Sequence, residues 1–187
     1  MRATTRLTGA LTALTTGLLL TACGTSATVS TTPSTTLTAE PATPLRACRT
    51  AALTWTLTVL GSAGPGRARL TAVNQGSTPC EFHGYPALEI HNGKADSIEG
   101  AGHGGGNALT LPERARRTVT VDLRYTRRGT KGADDWCVRQ SEAVVRAPHD
   151  SGAATVPVTD TRHRSASIDA CGQTLAMAPP RLTPAGS

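Results

Sequence analysis

The chain has 187 residues, and its 19 Lys+Arg against 13 Asp+Glu give a formal net charge of +6. Hydrophobic residues make up 38% and aromatic residues 3%, so one modest core is within reach and two sizeable domains are excluded. All but two of the cations are Arg, set among abundant Ala, Gly, Thr and Pro as in GC-rich coding, and with no aromatics interleaved they do not describe a nucleic-acid surface.

The chain opens on "MRATTRLTGALTALTTGLLLTA". Arg2 and Arg6 precede an uncharged, mostly apolar run from Leu7 to Leu20. That run falls short of the roughly 20 residues a helix needs to cross a bilayer, and it fits the apolar part of a signal peptide over residues 1–22. It ends in Leu20-Thr21-Ala22-Cys23, which resembles the bacterial lipobox. The resemblance implies cleavage before Cys23, diacylation of its sulfur, and a protein held by lipid on the outer face of the cytoplasmic membrane. Residues 23–46 are Thr, Ser, Ala and Pro with only Glu40 and Arg46 charged. Such a segment cannot bury a core and reads as a tether, with a root-mean-square span on the order of 26 Å.

The remaining cysteines agree with export. Of five, Cys23 is assigned to the lipid, which leaves Cys48, Cys80, Cys137 and Cys171 for two disulfides in an oxidising compartment. None forms a CxxC, so a zinc ribbon or thioredoxin-type site is not indicated. Four cysteines allow three pairings. Cys48–Cys80 with Cys137–Cys171 is favoured, because it ties each end of the domain to a nearby strand. The nested pairing of Cys48 with Cys171 and Cys80 with Cys137 comes second. In the favoured scheme each bridge contributes roughly 3.7 kcal/mol on the chain-entropy account.

Residues 47–178 are expected to form one domain, with 179–187 a flexible C-terminal tail. In "LTWTLTV", Leu53, Trp55, Leu57 and Val59 alternate with three threonines, which is the pattern of a half-buried strand. "GSAGPG" gives a turn, and "RARLTAVN" a second strand ending at Gln75-Gly76-Ser77. A bend at Gly84-Tyr85-Pro86 leads to a short strand over Ala87 to His91 and a hairpin signal at Asn92-Gly93. "TVTVDLRY" places Val119, Val121 and Leu123 inward and Thr118, Thr120, Asp122 and Arg124 outward. Further strands are expected in "WCVRQSEAVVRA", in "AATVPVT" and near Cys171. No long stretch carries a helical apolar period, so the expected fold is all-β, an immunoglobulin-like antiparallel β-sandwich stabilised by two disulfides.

The segment "LTAVNQGSTPCEFHGYPALEI" carries a more specific signal. With the lipobox, the tether and the early Cys48, it resembles actinobacterial lipoproteins bearing the domain of unknown function DUF4232. The matching positions are Asn74, Gly76, Ser77, Cys80, Gly84, Tyr85 and Pro86. Where that family shows a Leu-x-Pro-Gly-like turn, this chain has Leu111-Pro112-Glu113-Arg114. The resemblance implies an extracytoplasmic β-sandwich and no particular activity. On the residues alone, Asn74 and Gly76 suit a turn with positive φ, and Tyr85 can bury its ring while its hydroxyl reaches backbone.

Two chemistries remain to be weighed. "AGHGGGN" looks like the oxyanion-hole loop of lipases and esterases, but that chemistry needs a G-x-S-x-G elbow on an α/β fold, and the sequence has neither the elbow nor β-α alternation. His103 is therefore read as an exposed residue of a loop made mobile by Gly102 to Gly106. The five His, at 83, 91, 103, 149 and 163, never fall at i, i+2 or i, i+4. Asp134-Asp135 lacks the calcium-loop pattern. No cofactor, metal or nucleic acid is expected. The expected role is a lipid-anchored envelope module, a non-catalytic binding or structural domain whose partner is a cell-wall polymer or an envelope protein. The alternative is an extracytoplasmic, hydrolase-like enzyme with a dispersed site.

Overall fold

A computed structural model describes residues 44–61, 63–91, 97–133 and 136–184. The signal peptide, Cys23, most of the tether, the Asn92-Gly93 turn and Asp134-Asp135 lie outside the described residues.

A short 3-10 turn, Thr50–Ala52, leads into β1 (Leu53–Val59), β2 (Gly66–Asn74), β3 (Cys80–His83), β4 (Ala87–Ile90), β5 (Ile98–Gly102) and β6 (Ala108–Leu111). There follow β7 (Arg117–Arg127), β8 (Cys137–Gln140), β9 (Glu142–Arg146), β10 (Ala154–Thr159), β11 (Ile168–Met177) and β12 (Arg181–Pro184). Period-two alternation places Leu53, Trp55 and Leu57 of β1 inside and its threonines outside. β2 pairs antiparallel with β1 from Leu53↔Asn74 to Val59↔Ala68, and with β7 from Gly66↔Tyr125 to Val73↔Thr118.

The chain is all-β with two disulfides, as expected, but the strands do not form an immunoglobulin-like sandwich. Neighbour by neighbour, β7, β2, β1, β10, β9, β4, β5 and β11 are paired, and β11 returns to β7, so eight strands close into a barrel. Two of the joints are parallel, β1 with β10 and β5 with β11. Alternation tells which face of a strand is buried; it does not tell which strand lies beside it, and these long-range parallel joints close the ring. Closure leaves little open edge on those eight strands, the first residues of β7 excepted. β3 and β6 form a separate two-stranded ladder.

One expectation gains detail and one is corrected. "WCVRQSEAVVRA" is two strands, because the chain bends at Ser141, whose carbonyl accepts the N–H of Val158 at 2.7 Å. The segment 179–187 is not simply a tail: Arg181–Pro184 pair with Thr120 to Arg117 of β7. β7 is longer than its partner β11, and its first residues offer an edge that β12 fills. The outward Thr118 and Thr120 are buried there, with Thr120 Oγ1 2.9 Å from Thr183 Oγ1. Asp122 pins the same edge through Arg69 at 2.8 Å and Arg181 at 2.7 Å. Burial pulls its carboxyl upward, but these two guanidiniums hold it below the usual range.

The core joins the barrel lining to the β3–β6 ladder. Phe82, Leu57, Leu70, Leu88, Ile90 and Ile98 are fully buried, each contributing roughly 1.5–3 kcal/mol. Phe82 meets Trp55 at 6.2 Å between ring centroids. Gly66 sits opposite Tyr125, and a Cβ there would lie 2.2 Å from the ring. The glycine thus makes room for the tyrosine to fold over the ladder.

Candidate functional sites

The disulfides are Cys48–Cys80 and Cys137–Cys171. The first ties the entering chain to β3, where Cys48 N–H donates to Glu81 O and Glu81 N–H to Arg46 O, both at 2.8 Å. The second joins directly opposed residues of β8 and β11.

Asn74 is the polar centre of the motif around Cys80. It is 2% exposed. Its Nδ2 donates to Thr78 O at 2.8 Å and to Leu111 O at 3.4 Å, and its Oδ1 accepts Gly76 N–H at 2.9 Å. Neither Asn74 nor Gly76 takes positive φ, against expectation. At Gly76 a Cβ would stand 3.0 Å from Asn74 Oδ1, a tight contact that asks the Asn74 side chain to shift by a few tenths of an ångström. The left-handed conformation falls instead on Arg114, at φ 55, and Ala115, at φ 56, whose N–H groups donate to Gly76 O and Asn74 O. Left-handed backbone costs a non-glycine residue about 1–2 kcal/mol, and glycine's extra freedom in the unfolded chain offsets part of that gain. Arg114→Gly is therefore expected to stabilise the domain by about 0.5–1 kcal/mol in urea denaturation.

"AGHGGGN" begins as strand rather than loop, since Ala101 and Gly102 pair with Ala176 and Met177 of β11. Tyr85 O–H donates to His103 O at 2.8 Å, and its ring occupies the space beside Gly102, where a Cβ would come within 2.3 Å. Gly106 takes φ 57 close against Gly84. Tyr85 thus reaches backbone as expected, and the His103 imidazole is exposed.

Two polar hollows lie at opposite ends of β1. At its start, a groove of about 670 Å³ is lined by Arg46, Arg49, Ala52, Asn74, His149 and Asp150. Asp150 Oδ2 accepts Thr50 N–H at 2.7 Å, and Thr50 Oγ1 accepts Ala147 N–H at 2.9 Å. Those bonds to Thr50 hold the Asp150 carboxyl low, and they lock the β9–β10 connection onto the 3-10 turn. His149, at φ 61, meets His83 edge-on at 6.0 Å, and His91 lies 2.9 Å from Glu89. Among the described residues no three His, Cys, Asp or Glu side chains gather as a metal-ligand set.

At the end of β1, a cleft of about 430 Å³ is lined by Val59, Tyr125, Arg127, Arg139, Arg164 and Asp169, among others. Asp160 organises the β10–β11 turn at its rim. Its Oδ1 accepts the N–H groups of Arg162 at 2.8 Å and Arg164 at 3.0 Å, and its Oδ2 lies 2.6 Å from the Arg164 guanidinium. The backbone and side-chain bonds from Arg164 hold its carboxyl down to about 2. Asp169 takes Arg128 Nε at 3.2 Å. Burial pushes the Tyr125 phenol up, so it stays a donor at neutral pH. Arg127 belongs to the stretch Arg124 to Lys131, which carries four cations, and its meeting with Arg139 and Arg164 depends on strand neighbours that the sequence does not declare.

A family model described as "Domain of unknown function (DUF4232)" matches residues 48–179. Comparison with curated proteins and with solved structures found no match.

Proposed function

Since the chain belongs to the family of the domain of unknown function DUF4232, we propose that it is a lipid-anchored module of the cell envelope that binds a partner and catalyses no reaction. One observation carries this reading. The family domain holds two disulfides, which use every cysteine except Cys23, and Cys23 ends the lipobox-like Leu20-Thr21-Ala22-Cys23. Disulfides suit an oxidising, exported setting, and the odd cysteine sits where diacylation would fall. The Thr/Ser/Pro segment behind it then serves as the tether, with the domain on the outer face of the cytoplasmic membrane.

Expression of the full chain in a bacterial host supplied with labelled palmitate tests the anchor. The wild-type chain should take up label and sediment with membranes, whereas Cys23→Ser should do neither. Label retained by Cys23→Ser, or a wild-type chain without label, would overturn the anchor. Turnover of any member of a panel of ester, amide and glycoside substrates would overturn the non-catalytic half of the reading.

A further inference from the structure

We propose that the His83 and His149 imidazoles together hold a divalent transition-metal ion of the imidazole-seeking class, Zn²⁺, Cu²⁺ or Ni²⁺. This goes beyond the binding-module reading and does not depend on the lipid anchor. The two rings stand edge-on with centroids 6.0 Å apart. Two imidazoles that share one ion, each through a metal–nitrogen bond of about 2.1 Å, place their centroids about 5–6 Å apart. Both side chains are exposed, so small rotations about χ1 and χ2 turn a nitrogen of each onto one point.

The fold holds both residues in place before any ion arrives. His83 ends β3, where it pairs with Ala108 of β6 directly after the fully buried Phe82. His149 lies in the β9–β10 connection, in a turn closed by Asp150 N–H on Ala147 O at 3.2 Å. Asp150 Oδ2 fixes that turn to Thr50 N–H at 2.7 Å. The turn keeps His149 at φ 61, a backbone that residues other than glycine disfavour. Ligands placed in advance lose little freedom on binding.

Their chemistry is unspent. His91 is taken up by Glu89, whereas neither His83 nor His149 has a side-chain hydrogen bond or ion pair with a described residue. Both line one hollow of about 300 Å³ with Tyr85, Gly104, Gly105 and Pro148, and no cation stands in its wall to repel an ion. Arg46 and Arg49 line the separate groove that His149 also borders, together with Asp150. Among the described residues no third His, Cys, Asp or Glu gathers with the pair, so the ion keeps its other positions for water. Two imidazoles and water suit Zn²⁺, Cu²⁺ and Ni²⁺, whereas Ca²⁺ takes oxygen ligands.

The test titrates the full chain carrying Cys23→Ser, in which the other cysteines are bridged and no free thiol competes, with Zn²⁺, Ni²⁺, Cu²⁺ and Ca²⁺ in a calorimeter. One transition-metal ion should bind per chain, Cu²⁺ the most tightly, and Ca²⁺ should not bind. His83→Ala should weaken binding tenfold or more. So should His149→Asn, chosen because Asn tolerates the left-handed backbone. The two together should cost little more than either alone, because chelation needs both rings. His91→Ala, an equal loss of imidazole outside the pair, should change binding less than twofold. Zn²⁺ should also raise the unfolding temperature, since it ties β3 to the β9–β10 connection, and should not do so in either variant. Copper bound to the chain should show two imidazole nitrogens in its electron paramagnetic resonance spectrum. Four results would each overturn the proposal: no binding of these three ions, losses equal to that of His91→Ala, losses that simply add in the double variant, or a single nitrogen on copper.

Discussion

Asn74→Asp is expected to cost about 3–5 kcal/mol at neutral pH, the range for an uncompensated buried charge. The exchange adds no bulk and keeps the oxygen that accepts Gly76 N–H. What changes is the other arm, where an amide donor serves Thr78 O and Leu111 O. A carboxylate there turns negative charge toward two carbonyl oxygens in a site that is 2% exposed. Burial and the carbonyls both disfavour the charged form, so the Asp pKa in the folded variant lies above its unfolded value. The sign follows from linkage: folding then binds a proton, and the penalty is full above the folded pKa and shrinks as pH falls toward the unfolded one. Protonation also returns an O–H donor to one carbonyl. Asn74→Ala should cost about 1–3 kcal/mol for the groups it leaves unpaired, with no such pH dependence. Urea denaturation of both variants and the wild type at pH 4.5 and 7.5 gives the comparison. An Asn74→Asp deficit that does not narrow at the lower pH would show that Asn74 acts through shape alone.

That centre was half legible. The spacing of Asn74, Gly76 and Cys80 marked a structured turn, but not its mechanism. Asn74 works through a carbonyl at Leu111 that belongs to a distant strand, and the positive φ expected at Asn74 and Gly76 falls on Arg114 and Ala115, residues with no turn propensity to announce it. β1 and β2 were plain, because each buries every second residue and that alternation survives any change of neighbour; in β7 the inward Val119, Val121 and Leu123 were equally plain, but Thr118 and Thr120 on the other face are buried beside β12. The barrel was not, because it closes through β1–β10 and β5–β11, each joining segments more than 70 residues apart. β12 escaped for a related reason. Its four residues, which follow two prolines and end on a third, have too little alternation to read, and they pair only because β7 leaves an edge to fill. The arginine-lined cleft has the same origin: Arg127, Arg139 and Arg164 lie far apart in the chain and meet only when β7, β8 and the β10–β11 turn are placed together.

Removing the Cys48–Cys80 bridge as the double variant Cys48→Ala, Cys80→Ala should lower stability by about 3.7 kcal/mol on the chain-entropy account, for a sequence separation of 32. In a domain of this size that is a fall of roughly 10–15 °C in unfolding temperature. The Cys137–Cys171 bridge, with a separation of 34, carries nearly the same chain entropy, so thermal unfolding alone should barely tell the two apart. Their native surroundings differ. Losing the first bridge frees the entry segment, where Phe82 against Trp55 and the Cys48–Glu81 ladder still hold β3 in place. Losing the second acts on β8, whose sheet partner is β11 and which carries Arg139 into the cleft. Cys137→Ala, Cys171→Ala should therefore speed backbone hydrogen exchange in β8 as well as lower stability, measured well below its own unfolding temperature, while the Cys48, Cys80 variant keeps β8 protected as in wild type. Equal protection of β8 in both double variants would mean that β8 holds its place without the bridge, and that its hydrogen bonds to β11 alone are enough.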